Sequence, residues 1–552
     1  MLADSSLLFR QMASLVLLIL TSLGNHAAPA QTADVIYTNA EIYTMDPRQL
    51  WANALAIEGD KFIQVGSNED IKKFVGKKTI VVDLQERMVM PGLHDAHTHL
   101  EWAGIFMHHE CSLPHNATQS KIVETLQNCD VRRPENWITA GLYSPFIFEK
   151  GRSDNTFLNE AFPNTPVYLT DYSAHHGLAN AKALERAGIS LTTSDPAGGV
   201  IVRDPDTGAI TGELIETANS LMQRVIPAYD DRVYRNALQW AIKMSNQHGI
   251  TSVQEASATR RELLILNELE NKNALSLRVS AHLVWQYERF ADATLSEIQK
   301  LREDRAQYQS SRVDTRFIKV WLDGAPLPPN LTHSDLDDAN RVDSDKLLIT
   351  QKELNQVIAS LDKQGFVVKM HVAGKGAART ALNALEYTRK ANGDGGPLHE
   401  LSHAGFIHED DMQRMSKLGA VAEMSPAVWH LNLPGFDDLS NTFRFKSLKN
   451  KGVHTVVGSD WIIMPTPNLF PALQGMLERG EESIDLASAL ATVTINGAQV
   501  TQQDHLIGSI EKGKYATFIV LDQNLFKIPV NKIHETAVDM TIFEGRVVYE
   551  AN

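Results

Sequence analysis

The chain has 552 residues, with 22% charged, 43% hydrophobic and only two cysteines. That length exceeds one small domain at ~100–200 residues each, and the ordinary composition excludes a disordered, collagen-like or disulfide-stapled chain. The net charge of −15, from 52 basic and 67 acidic residues, argues against nucleic acid or an anionic membrane surface as partner and is silent on chemistry.

Residues 1–30 carry Arg10, an apolar run from Met12 to Gly24, and Ala28-Pro29-Ala30. A charged start, an apolar middle and a small-residue exit describe a secretory signal peptide cleaved near Ala30. The run is shorter than the ~20 residues that span a bilayer, so we expect an exported, periplasmic or secreted protein with no stable membrane anchor. In an oxidising compartment, the two cysteines, Cys111 and Cys129, favour one disulfide closing a short loop.

The two ends of the chain are similar in kind. Asp34–Tyr37, Ala54–Ile57, Phe62–Gly66 and Thr79–Leu84 read as strands, with Gly59-Asp60 as a hairpin turn. Thr517–Asp522 and Arg546–Tyr549 repeat the style. Residues 31–90 and 500–552 are therefore expected to form one small composite β-sandwich domain.

Between them, residues 91–499 alternate short apolar runs with longer helical stretches. The candidate strands are Asp95–Leu100, Thr251–Gln254, Leu277–Leu283, Phe317–Trp321, Phe366–His371, Glu400–His403, Ala420–Met424 and Thr455–Gly458. Eight βα units imply an α/β (β/α)8 barrel of the TIM type. The long gap after the first strand marks residues 101–240 as an insertion. It holds further elements such as Trp137–Ala140 and Pro166–Leu169.

The first barrel strand ends in His97-Thr98-His99. Residues two apart in a strand share a face, so both imidazoles can meet one metal ion. Lys319 lies in the fourth strand, His371 closes the fifth, His403 closes the sixth and Asp460 follows the eighth. Carboxyl ends of barrel strands converge on one mouth, so these groups are expected at one place. Neutral imidazoles suit Zn²⁺ or a similar divalent ion, which acidifies a bound water toward pKa ~7. Asp460 is the candidate ligand and general base. Carboxylation of Lys319 by CO₂ would make it a ligand able to bridge two ions.

Pro91-Gly92-Leu93-His94-Asp95-Ala96-His97-Thr98-His99 resembles the entry motif of the amidohydrolase superfamily. Phe317–Gly324 and Gly458-Ser459-Asp460 fit it too. His175–Asn180, Gly212-Glu213-Leu214, Ile495–Ala498 and Gly508–Gly513 are similar to amidohydrolase family 3, the branch of N-substituted formamide deformylase-like and exoenzyme regulatory protein-like hydrolases. The resemblance implies a barrel with a composite β domain. It implies one or two divalent ions held by His97, His99, His371, His403 and Asp460, with Lys319 carboxylated between two ions. It further implies water attack on a C–N bond of a small molecule, an amide or cyclic amide rather than a peptide.

Two departures are visible. His371 is followed by Val372-Ala373-Gly374-Lys375-Gly376 where the branch carries Ala-Ile-Gly-Asp-Arg, and Glu400-Leu401-Ser402 stands where many members carry Arg-x-Glu. Both are expected near substrate, as is the proline-rich loop from Gly324 to Pro329. Substrate contacts are expected from His175, Trp102 and Trp461, with Asp323 either orienting Lys319 or capping a helix. An esterase or lactonase on the same metal site is the alternative activity, and a non-catalytic exported regulatory or binding protein the other. A homo-oligomer is left open.

Overall fold

The computed structural model describes residues 31–114, 116–148, 151–326, 331–425 and 442–551. The expected leader, residues 1–30, lies outside the described residues, as do residues 327–330 of the proline-rich loop.

Eight parallel strands form the central sheet. In chain order they are Leu93–Thr98, Ile250–Ala258, Arg278–Val284, Val313–Trp321, Val367–His371, His399–Ser402, Ala420–Met424 and Thr455–Val457, each paired with the next. A parallel bridge between Thr98 and Trp461 joins the last to the first, and Asp460 donates its N–H to the His97 carbonyl at 2.8 Å. Gly458 makes this closure possible: a Cβ there would stand 2.2 Å from the His97 nitrogen. Most positions on these strands are buried, as expected when a sheet is covered on one face and filled on the other. Each large apolar side chain so removed from water contributes about 1.5–3 kcal/mol.

The helices between strands follow local signals. Gln351–Lys363 is capped by Thr350, whose side chain accepts from the Glu353 N–H. Glu409–Leu418 ends at Gly419, which takes a left-handed φ of 67°, the conformation that lets glycine close a helix.

The chain between the first two barrel strands builds its own five-stranded sheet from Ile138–Tyr143, Val167–Asp171, His176–Ala179, Gly199–Arg203 and Ile210–Glu216. Leu126, Leu158 and Leu169 are among the side chains packed in its apolar core. Cys111 and Cys129 are joined by a disulfide there, 18 residues apart.

Both termini contribute the remaining two sheets. One has four strands, Lys61–Gly66, Ala54–Glu58, Val35–Thr38 and Ile80–Asp83 in spatial order. The other has six, Arg546–Glu550, Val538–Phe543, Phe518–Leu521, Met88–Pro91, Glu41–Tyr43 and Trp51–Ala52. Tyr37 meets Phe518 edge-on across the shared core, ring centres 5.2 Å apart. The chain passes from Met88–Pro91 of this sheet directly into the first barrel strand.

Candidate metal centre

The carboxyl ends of the barrel strands surround a cavity of about 100 Å³, and His97, His99, Lys319, His371, His403 and Asp460 all line it. The tightest trio is His97, His403 and Asp460, whose donor atoms lie within 4.8 Å of one another. One Asp460 oxygen is 3.8 Å from His97 Nε2 and 3.7 Å from His99 Nε2, and the other is 3.7 Å from His403 Nδ1. Lys319 Nζ is 3.5 Å from His97 Nε2. The His371 ring centre is 4.7 Å from that of His403. His371 Nε2 donates to the Gly324 carbonyl at 3.1 Å, which leaves Nδ1 as its donor atom.

The backbone itself is bent to aim these groups. His403 and Asp460 take φ values of 59° and 49°. Left-handed conformations cost a residue with a side chain ~1–3 kcal/mol and persist only where the surroundings impose them. The Asp460 N–H bond to His97, already noted, is one such restraint. The Gly405 N–H bond to the His403 carbonyl at 2.6 Å is another.

A layer of side chains not foreseen as partners of the imidazoles holds them in place. His97 Nδ1 donates to Glu423 Oε2 at 2.7 Å, and Ser402 Oγ donates to the same oxygen at 2.6 Å. His99 Nδ1 contacts Ser257 Oγ at 2.9 Å. Asp95 accepts from the His97 N–H, the Ser459 N–H and the Ser459 hydroxyl, tying the first strand to the turn before Asp460. Such partners fix the tautomer of a ligating histidine and raise its basicity.

Electrostatics suit ligation. Burial, then Lys319 and Lys369, push His97 well below the usual histidine range and bring His99 down to about 3. His371 and His403 are likewise held well below that range, burial first. Neutral imidazole is the form that binds a metal. Burial, then Lys369, brings Lys319 down to about 7. Burial, then Glu423, pushes Asp460 up to about 7. A divalent cation would offset this crowding of desolvated charge, so the donor set fits one.

Other expected site residues fall at different depths. His175 reaches the cavity from the insertion and lines it. Trp102 lines a separate cavity of about 110 Å³ and stacks at 5.5 Å on Phe290, so it backs the wall instead of forming it. Trp461 is fully buried and packs on Trp240 at 5.7 Å. Its place beside Asp460 in sequence turns it outward from the cavity into the core. Asp323 accepts the N–H groups of Ser334, Ala373 and Gly374. It thereby shapes the turn leading into helix Lys375–Asn392.

The two departures touch the site only in part: Ala373 lines the cavity, and Ser402 lies behind it, 3.3 Å from Lys319 Nζ. Glu400 precedes Ser402 by two positions on the same face, one layer down in the barrel. There it lies 3.3 Å from Lys369 and 3.7 Å from His282. Lys375 opens the helix and does not line the cavity. Of the proline-rich loop, Ala325 and Pro326 line it.

Comparison with known proteins accords with this geometry. The amidohydrolase family's sequence profile matches residues 80–549. An N-substituted formamide deformylase of Arthrobacter pascens is 26% identical over 550 residues, covering 94% of this chain and 99% of the relative. The protein LONG AFTER FAR-RED 3 of Arabidopsis thaliana is 27% identical over 523 residues, covering 89% and 88%. An uncharacterised metal-dependent hydrolase from Pyrococcus horikoshii superimposes with a TM-score of 0.69 at 22% identity, over 90% of this chain and 99% of that one, a likeness of fold.

Proposed function

The chain belongs to the amidohydrolase family and is a metal-dependent hydrolase; from that premise we propose that it cleaves a C–N bond, other than a peptide bond, in a small neutral amide or cyclic amide. The observation that carries the reading is Asp460, whose two oxygens stand 3.7–3.8 Å from three imidazoles at the mouth of the barrel.

His97, His99, His371, His403 and Asp460 would hold the ion, and Zn²⁺ suits so imidazole-rich a set. Bound there, the ion would supply Lewis acidity for a substrate carbonyl and for a water brought toward pKa ~7. Asp460 takes a proton from the attacking water and returns it to the leaving nitrogen. The bond broken is acyl carbon to nitrogen, the bond formed is acyl carbon to water oxygen, and the products are an acid and an amine. Lys319, 3.5 Å from His97 Nε2, would bridge two ions once carboxylated. Glu423, Ser402 and Ser257 keep the imidazoles in register. Phe290, Trp321, Phe406, Phe443 and Ile462 form much of the apolar wall and exclude water from the reacting groups.

Residues 1–30 carry the features of an export signal, and the Cys111–Cys129 bridge is of the kind that persists in oxidising compartments. We place the mature protein outside the cytoplasm on those grounds.

Metal analysis of protein purified without chelator tests the reading. One or two equivalents of a divalent ion are expected, with uptake after stripping enhanced by bicarbonate. Asp460→Asn is expected to cut hydrolysis of small amides at least 10³-fold, as loss of a general base alone is worth ~10²–10⁴, with the fold retained by circular dichroism. Full activity in that variant would sink the proposed base.

A further inference from the structure

Setting aside the six metal-competent side chains, the cavity presents few polar side chains among the described residues: Ser173, His175 and Ser425. Two of these are spent within the protein. Ser173 Oγ donates to Asp171 at 2.7 Å, and Ser425 Oγ lies 3.2 Å from Glu423 and 3.3 Å from His403. His175 is different. Its Nδ1 donates to Glu216 Oε2 at 2.9 Å, and Nε2 is left for the cavity, beside His371 at 5.2 Å between ring centres.

Glu216 is built to receive that proton. It is buried at the end of strand Ile210–Glu216, with a left-handed φ of 49°. The Tyr287 hydroxyl donates to its Oε2 at 2.8 Å, and the Thr332 hydroxyl to its Oε1 at 2.6 Å. Tyr287 comes from the barrel side and Thr332 from the loop after the fourth strand, so the carboxylate joins the insertion to the mouth. With three donors around it, Glu216 acts as an acceptor only. The bond to Glu216 therefore fixes the hydrogen on Nδ1, and in that tautomer the lone pair lies on Nε2. An acceptor facing an apolar wall is costly to leave unmatched. The complementary group on a substrate is an N–H.

We propose that His175, held in one tautomer by Glu216, is the specificity residue that accepts the N–H of the scissile amide, so that the enzyme prefers secondary over tertiary amides. The proposal rests on the hydrolase reading above. Accepting the N–H fixes the plane of the amide, which turns the nitrogen lone pair of the tetrahedral adduct away from His175 and toward Asp460. Glu216 is a positioning residue: it touches His175 and not the substrate.

Acetanilide and N-methylacetanilide serve as the paired probes, since both place a phenyl group against the apolar wall and differ in the N–H. In the metal-loaded wild type the kcat/KM ratio should favour acetanilide. In His175→Ala that ratio should fall about tenfold, the loss of one matched hydrogen bond, with metal content unchanged. Glu216→Gln, which can present its amide N–H₂ to Nδ1 and drive the proton to Nε2, should lower the ratio similarly. Tyr287→Phe should lower it less. ¹⁵N NMR of labelled histidine gives a readout apart from turnover: His175 should show the Nδ1–H tautomer, and its Nε2 signal should move with acetanilide and not with the N-methyl compound. An unchanged ratio in His175→Ala, or a loss of metal from it, overturns the proposal. If the wild type hydrolyses neither probe, the amidase reading fails. The NMR arm still decides the inference, an unmoved Nε2 signal refuting it.

Discussion

Glu423 shows how a residue with no reach into the cavity can govern it. Its Oε2 takes the His97 proton at 2.7 Å, and Lys369 stands 3.9 Å away on the other side. Burial pushes this carboxyl up, but Lys369, His403 and Ser402 outweigh burial and hold it below the usual range, so it stays a charged acceptor. Glu423→Gln is expected to weaken metal binding 10–100-fold, the range for lost partners of ligating histidines. Competition with a chromophoric chelator measures this, and an unchanged affinity would show that His97 is oriented by other means. The ligand His97 was legible because His-x-His in a strand puts two imidazoles on one face. Glu423 was not, since one acidic residue in Ala420–Met424 carries no mark of its partner 326 residues away. Trp461 misled for a related reason: adjacency to Asp460 says nothing about direction, and the left-handed turn at Asp460 sends the two side chains opposite ways.

At the level of elements, the alternation of short strand-like runs with longer helical stretches located all eight barrel strands, even though Leu93–Thr98 and His399–Ser402 carry more polar than apolar residues. Of the strands it missed in the terminal domain, Glu41–Tyr43, Trp51–Ala52 and Met88–Pro91 are short or depend on distant partners, whereas Val538–Phe543 has six residues and forms a local hairpin with Arg546–Glu550. Met88–Pro91 pairs with Phe518–Leu521, and no local pattern encodes that. Contacts between helices are equally invisible in sequence. Asp362, near the end of helix Gln351–Lys363, accepts from Arg389 at 2.8 Å, Asn392 at 2.8 Å and His399 Nε2 at 3.0 Å. It thus ties two helices to the sixth barrel strand. Burial pushes its carboxyl up, yet His399, Asn392 and Arg389 outweigh burial and hold it at about 2. A folded-state value below the unfolded one stabilises above the unfolded pKa and loses that contribution as pH falls through the folded one. Asp362→Asn is therefore expected to cost roughly 1–2 kcal/mol near neutrality, a gap that narrows below pH ~4 and closes by about pH 2. Denaturant titrations of both proteins across that range measure it, and a gap independent of pH would mean that the carboxyl's charge is not what stabilises.

The whole molecule divides its labour along the barrel axis. The insertion reaches the mouth, where His175 and Glu216 lie. The terminal domain grips the opposite, amino-terminal end. Glu544, in the turn between the last two strands, binds Arg278, the first residue of the third barrel strand, and Arg312 at 2.6 Å, just before the fourth. All three are buried or nearly so, and the Thr541 hydroxyl adds a 2.7 Å bond to the Asn246 carbonyl. Truncating one acid between two desolvated guanidinium groups leaves both uncompensated, which costs about 3–5 kcal/mol at such sites. Glu544→Ala should therefore loosen the terminal domain from the barrel. Hydrogen exchange should accelerate in 518–550 and at the amino ends of the third and fourth barrel strands, while the strand ends carrying His371 and His403 stay protected. Metal affinity should be unchanged, because the site is set by the carboxyl ends and by a layer of side chains inside the barrel. Loss of metal in Glu544→Ala would instead mean that the terminal domain holds the barrel in the shape its mouth requires, and that the site is a property of the whole chain.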